Sequence, residues 1–367
     1  MENLQQNLID RSQLMELARD REKLYPLPYR ETIDLSPPIC SQEVRKPLKE
    51  KEGYFEFSQS FAAEIENVYL VGPDAIGFTE DGKIILETAL NREDVLKKSL
   101  KKTQEAGFNL TEIVKNFTNR PDIEEIDFAC SLVDYWSDLY AHWVFEVFTR
   151  LEALEYYTRE TGKAPPLIIH ENPYSWKVRS LELIGYPIKN CRQWRGNIVK
   201  VKRLVICSKR REIGRTSPKS CHWVREKVFS SLDKQATVNI PLAPNIFISR
   251  RNARSRRIVN EDEVIETLAK WDFVPYLLED FDWQDQVTLF RQAKTIVAPH
   301  GAGLVNMVFS HKDTQILELF GRKISHGFYA LATGLELKYG CIFCEPQEEK
   351  ILVDCQQLSQ FLEQHYC

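Results

Sequence analysis

No apolar run in these 367 residues approaches the roughly 18 to 20 needed to cross a bilayer. The opening stretch, MENLQQNLIDRSQLMELARDREKLY, lacks the apolar centre of a signal peptide, so a cytoplasmic location is expected. No cysteine pattern is present either: the nine cysteines (40, 130, 191, 207, 221, 341, 344, 355 and 367) are odd in number and scattered, which favours free thiols over disulfides. For the same reason the sequons at Asn109 and Asn116, which matter only in a secreted chain, read as chance matches. The net charge is only -4, so no global field recommends a nucleic acid or a membrane surface. Neither G-x-x-x-x-G-K-[ST] nor G-x-G-x-x-G occurs, which leaves ATP hydrolysis and hydride transfer without motif support.

What is present is an ordinary folding composition, 43% apolar and 28% charged. At about 150 residues per domain the length suggests two domains and an accessory segment. Residues 1–50 are polar and interrupted by Pro26, Pro28, Pro37 and Pro38, reading as a helix or two and an irregular arm. Residues 51–120 mix aromatic and β-branched residues with turn signals, among them a hairpin at Asp81-Gly82, and read as a β-rich accessory segment. From 121 to 207 strands alternate with helical stretches, the pattern of βαβ units on a parallel sheet. A basic linker, 208–244, carries one helix. The alternation then resumes over 245–350 as IFIS, EDEVIETLAKW, FVPYLL, WQDQVTLFRQA, TIVAP, LVNMVF, QILELF, GFYALATG and KYGCIF, and 351–367 is a terminal helix. Asn260, with Glu263 three residues on, and Asp282 are expected helix caps.

Two stretches promise chemistry. TIVAPHGAGLVNMVF places His300, Gly301, Ala302 and Gly303 between a strand and a helix, offering backbone N–H groups and a bare approach to an anion. An isolated H-G-A-G serves equally well as a tight turn, so its neighbours decide. ISRRNARSRR puts five arginines directly after a strand, and guanidinium forks chelate phosphate bidentately. Ligands on open parallel sheets gather at the carboxyl ends of strands. Arg250 and Arg251 are therefore read as anion-binding, and Arg254, Arg256 and Arg257 as surface or acid-pairing residues. The reading requires Arg250 and the His300–Gly301 corner to share one site.

The stretch ISRRNARSRRIVNEDEVIETLAKWDFVPYLLEDFDWQDQVTLFRQAKTIVAPHGAGLVNMVFSHKDTQILELF closely resembles the signature half of glycosyltransferase family 61, and HWVFEVFTRL is similar to that family's upstream block. The resemblance extends over about residues 50–345. It implies an α/β fold of the GT-B kind: two Rossmann-like domains facing a cleft, here with an N-terminal β-rich, irregular extension. It also implies an inverting reaction and a nucleotide-sugar donor, commonly a UDP-sugar, with no separate cofactor. Carried over residue by residue, Ser249, Arg250, His300, Gly301, Ala302, Gly303, Asn306 and Glu318 fall on the donor side, and His142 and Glu146 on the acceptor side. Two departures stand out: Leu139-Tyr140-Ala141 precedes His142 where Asn-Tyr is usual, and Thr149 replaces a proline.

His142 and Glu146 are i and i+4 on a predicted helix and share a face. An inverting transfer needs one base for the acceptor hydroxyl; Glu146 is the first choice, with His142 as orienter or alternate. Glu318, at the end of a strand, suits ribose hydroxyls or serves as a buried structural carboxylate. No metal is required, because Arg250 and the helix start after Gly303 meet the charge of a departing diphosphate. Asp280-x-Asp282 reads as a cap, and CIFC at 341–344, a single C-x-x-C in a predicted strand with Cys355, His365 and Cys367 downstream, as buried thiols. The expected partners are a nucleotide sugar and a glycan, glycolipid or peptide acceptor, without nucleic acid, and with peripheral membrane contact left open. A non-catalytic nucleotide-sugar binder and, less favoured, a nucleic-acid binder are the alternatives.

Overall fold

The computed structural model describes residues 7–110, 123–234 and 240–365; the sequon at Asn116 and Cys367 lie outside them. The chain divides into two units, Met1–Arg30 with Ser58–Arg210, and Glu31–Phe57 with Arg211–Cys367.

The first unit is built on a ten-stranded mixed sheet. Phe61–Val71, rich in apolar and β-branched residues and buried over most of its length, pairs antiparallel with Ile198–Cys207 from Cys207 opposite Ala62 to Ile198 opposite Val71. On one side the sheet continues antiparallel through Ile76–Phe78 and Ile84–Ile85, the hairpin expected at Asp81-Gly82, where Gly82 has φ +80°. On the other side four parallel strands run in the order Ile198–Cys207, Ala129–Ser131, Leu167–His170, Arg192–Trp194. The chain enters in the interior of this parallel half, steps outward twice and returns to the far side, a Rossmann-like order. Residues 51–120 and 121–207, expected as separate pieces, thus both contribute strands to one sheet. The reason is non-local: an antiparallel partner more than a hundred residues away leaves no trace in local periodicity.

The predicted helix from Tyr140 is present but not uniform. Tyr140–His142 is followed by a π turn at Trp143–Val147, a 3₁₀ turn at Phe148–Arg150 and regular α-helix over Leu151–Thr161, closed by Gly162 at φ +68°.

The second unit holds a six-stranded, all-parallel sheet in the order Phe273–Tyr276, Asn245–Ile248, Thr295–Pro299, Gln315–Phe320, Lys338–Phe343, Ile39–Cys40. Its strands read as continuous apolar runs because both faces are covered. Order reverses between Asn245–Ile248 and Thr295–Pro299, the place where such sheets open a crevice. The edge strand comes from residues expected to form an irregular arm. Two further expectations change. LVNMVF is part of an eight-residue 3₁₀ helix, Ala302–Phe309, not an α-helix. The terminal segment begins as a strand, Lys350–Leu352, before the helix Cys355–His365, whose Leu358 and Leu362 pack with Val264 and Leu268 of helix Glu261–Ala269. In the expected linker, Arg211–Glu212 and Arg215–Thr216 form a small hairpin and Pro218–Leu232 the predicted helix. Cys341 and Cys344 are buried, Cys341 within the strand and Cys344 just past its end.

Candidate functional site

In the second unit the site grows from the ends of two neighbouring strands. Beyond Ile248, the Arg250 guanidinium lies against Gly301, so closely that a Cβ at 301 would overlap it. Gly301 is extended, at φ -177°, so contact and not backbone strain excludes a side chain there. One step on, a Cβ at Gly303 would come within 2.7 Å of Leu278 Cδ1. Arg250 donates from Nη2 to the Ser255 carbonyl at 3.1 Å, while its buried Nε has no hydrogen-bond partner. Burial, and then the charge of Arg256, push its pKa below the usual arginine value, with Glu279 opposing. A half-buried cation with an unused donor beside bare backbone is a place for an anion.

Neighbouring residues support this corner without reaching into it. Ser249 donates to Glu261 Oε1 at 2.7 Å and accepts the Arg251 N–H at 3.1 Å. Arg251, read as anion-binding, is half-exposed and paired with Glu261 and Asp262, the role expected of the later arginines. Asn306 is fully buried and donates to Gln286 Oε1 at 3.1 Å. Asp282 caps its helix through the Asp285 N–H at 2.9 Å. Asn260 does not cap: its side chain bonds the Val353 backbone at 2.9 and 3.1 Å and Glu263 at 2.9 Å. Glu261 is not legible as a brace in the sequence, where the capping pattern rests on Asn260 and Glu263.

His300 Nδ1 is hydrogen-bonded to Glu318, whose other oxygen accepts from the Tyr339 hydroxyl. The imidazole stacks on Phe320 at 5.3 Å and meets Phe328 edge-on at 5.5 Å. Glu318 is wholly buried and both its oxygens are engaged, one of them by His300, whose ring it orients. With Nδ1 held by the carboxylate, Nε2 is the nitrogen left to meet a ligand. Tyr339 carries no motif that marks it in the sequence.

In the first unit, His142 Nδ1 lies 2.8 Å from Glu146 Oε2. The His142 side chain is 23% exposed and that of Glu146 6%, so the imidazole is the more exposed of the two, its ring tilted 32° against Trp136 with centroids 4.5 Å apart. Glu146 lies in the π turn Trp143–Val147 and His142 is the residue immediately before it; π geometry commonly marks function. Below them a buried Arg150 is ion-paired with Asp134 and donates from Nε to the Glu146 carbonyl at 3.1 Å. Burial raises the Asp134 pKa despite Arg150. Thr149, where a proline is usual, donates instead to the Phe145 carbonyl at 3.2 Å. Among the described residues no group of three or more His, Cys, Asp or Glu is placed to hold a metal ion.

Two α/β units thus present imidazole–carboxylate pairs beside the carboxyl ends of parallel strands, a class of site suited to ligand binding and proton transfer. Residues 140–317 match the model of the family Glycosyltransferase 61: a glycosyltransferase 61 domain is present in this chain. The matched segment contains His142, Glu146, Arg250 and His300 and stops one residue short of Glu318. A human protein O-linked-mannose beta-1,4-N-acetylglucosaminyltransferase 2 is 29% identical over 109 residues, 27% of this chain and 19% of that protein. The mouse protein of that name is 32% identical over 108 residues, with the same coverages of 27% and 19%. A beta-1,2-xylosyltransferase of Arabidopsis thaliana is 28% identical over 137 residues, 31% of this chain and 25% of that protein. The chain therefore matches only a fifth to a quarter of the length of these relatives.

Proposed function

We propose that the chain is an inverting, metal-independent glycosyltransferase of the GT-B type that moves a hexose or pentose from a nucleotide sugar, a UDP-sugar first among them, to a glycan or glycolipid acceptor. The observation that carries the reading is Arg250 seated on Gly301 where strand order reverses. A guanidinium and unobstructed backbone meet there, as a diphosphate requires. The glycosyltransferase domain and the activities for which the relatives are named support sugar transfer as the reaction class.

In the proposed reaction the acceptor oxygen bonds to the anomeric carbon as the bond from that carbon to the diphosphate oxygen breaks, its electron pair leaving with the diphosphate. Arg250, and His300 through Nε2, offset the developing charge. His142 Nε2 takes the hydroxyl proton, and Glu146, buried and bonded to Nδ1, holds the ring and stabilises the imidazolium. This assigns the base to His142 and orientation to Glu146, the reverse of the first expectation. Burial is the reason, because a carboxylate already engaged by its neighbour is poorly placed to meet a substrate.

The test is thermal stabilisation and transfer with a panel of UDP-sugars. Arg250→Ala is expected to keep its fold and lose UDP affinity by about a hundredfold, as removal of a charged phosphate contact does; unchanged affinity would overturn the donor site. His142→Ala is expected to bind UDP normally and turn over about a thousandfold more slowly, with partial recovery in added imidazole. Recovery of Glu146→Ala by added formate, with none of His142→Ala by imidazole, would return the base to Glu146. Stabilisation by UDP without transfer to any acceptor would leave a nucleotide-sugar-binding protein.

A further inference from the structure

The first unit also gathers aromatic rings that the donor chemistry leaves unused. They stand beyond the carboxyl ends of two paired parallel strands, Ala129–Ser131 and Leu167–His170. Tyr174, 57% exposed, lies flat against Trp176 with centroids 5.4 Å apart and planes 11° from parallel. Trp176 is held in turn by the edges of Tyr140 at 5.3 Å and Trp143 at 6.0 Å. An exposed tyrosine ring stacked on a braced tryptophan offers a flat apolar surface on a rigid support.

Beside it stands a carboxylate fixed from below. Asp138 is 47% exposed, yet one oxygen accepts from Lys177 Nζ, whose side chain is 1% exposed and whose ammonium sits 4.9 Å from the Trp143 ring and 5.7 Å from that of Trp176. Its other oxygen is 3.5 Å from His170 Nδ1, a buried nitrogen without a hydrogen-bond partner. Anchoring a half-exposed carboxylate with a wholly buried lysine is costly. What results is an acceptor of hydrogen bonds held in one orientation at the edge of a ring surface. A carboxylate accepts only, so its ligand must bring donors and repels anions. A pyranoside meets both demands, with one face of C–H bonds for the ring and hydroxyls for the carboxylate. Tyr140, whose edge meets Trp176, shares the helical segment Tyr140–His142 with the proposed base.

We propose that Tyr174, Trp176 and Asp138 form the acceptor subsite and that the acceptor is a neutral sugar ring, stacked on Tyr174 and hydrogen-bonded to Asp138, not a bare peptide hydroxyl. Naming this sugar the acceptor rests on the transferase reading above; the subsite itself does not.

The experiment is saturation-transfer NMR on the full chain with methyl α- and β-pyranosides of glucose, galactose, mannose, N-acetylglucosamine and xylose, run beside UDP binding. At least one glycoside is expected to bind, with saturation strongest on its ring C–H protons. Tyr174→Ala should weaken that binding by about tenfold, as loss of a stacking face does, and Tyr174→Phe should retain it. Asp138→Asn should weaken it similarly; because that change also strips Lys177 of its partner, the exposed Tyr174 pair keeps the test decisive if Asp138→Asn does not fold. UDP affinity should be the same in every variant. In transfer assays Tyr174→Ala should raise the acceptor KM and leave kcat nearly unchanged. Absence of pyranoside binding, glycoside affinity indifferent to Tyr174→Ala, or transfer to a serine or threonine peptide unaffected by that change would overturn the subsite. Glycoside binding that depends on Tyr174 in a protein that fails to bind UDP would uphold the shelf and sink the transferase reading alone.

Discussion

At each of two histidines in this protein, His142 and His300, a buried carboxylate holds Nδ1, so that Nε2 is the ring nitrogen not engaged by that carboxylate. The device converts a ring with two equivalent options into a group with one direction and one tautomer. Residue types at these positions were legible beforehand: His142 with Glu146 from helical spacing, and His300 with Gly301 from the strand-to-helix corner. Burial was not. Glu318, within the strand Gln315–Phe320, fits ribose contact or a structural role equally by residue type, and its burial and its bond to Tyr339 come only from the strand beside it. A prediction belongs at this scale. Gly301→Ala places a methyl group where the Arg250 guanidinium lies; because the displaced atoms are the end of a flexible side chain, the fold should tolerate it. Calorimetry should show UDP affinity reduced by about tenfold or more, the loss of one charge-assisted contact, with the melting temperature little changed. Wild-type affinity in this variant would remove Arg250 from the donor site.

At the scale of elements, strands and helices follow the apolar periodicity, yet the ends depend on partners that periodicity does not register. Asp282 accepts from its own helix at Asp285, as a cap should. Asn260 occupies the corresponding position before Glu261 and spends its side chain on the Val353 backbone, tying the terminal segment to the start of the helix Glu261–Ala269. Asp282→Ala is accordingly expected to cost about 1 kcal/mol. Asn260→Ala should cost about 2 kcal/mol, since it leaves backbone groups of Val353 without their partner. Urea unfolding read by tryptophan fluorescence checks both, and equal losses would mean that Asn260 acts only as a cap. The 3₁₀ geometry of Ala302–Phe309 bears on the site as well. The poorer hydrogen-bond geometry of a 3₁₀ helix makes its start a weaker anion site than that of an α-helix, so the proposed diphosphate would depend more on Arg250.

For the whole molecule, the charged groups buried in the first unit shape its response to pH. Burial alone would raise the Glu87 pKa, but the charge and hydrogen bonds of Arg11, with the Lys209 N–H, bring it below the ordinary glutamate value. In Glu64 burial is likewise outweighed, by hydrogen bonds from Tyr157, Arg203 and Lys23. A carboxylate with a depressed folded-state pKa stabilises the fold above its unfolded value, about 4.3, and that stability is lost as pH falls through the folded value. Asp134, raised by burial, acts in the opposite sense: it opposes folding above its unfolded pKa and recovers part of the loss on acidification. The melting temperature should therefore fall below about pH 4, and Glu87→Gln should flatten that fall while lowering stability at neutral pH. Thermal melts from pH 3 to 7 decide it. An acid limb as steep in Glu87→Gln as in the parent chain would exclude Glu87 as a source.

The sequence by itself determined the alternation of strands and helices in the two βαβ stretches, the glycine corner and the arginine that meets it, because each rests on local periodicity or on residue types with narrow chemical uses. The tertiary structure alone decided that Ile39–Cys40 closes the second sheet, that Phe61–Val71 joins the first, that Glu318 lies buried behind His300, and that Tyr174, Trp176 and Asp138 stand together. These depend on residues far apart in the chain becoming neighbours, and burial, which selects among the roles a carboxylate or a ring can play, exists only once they have.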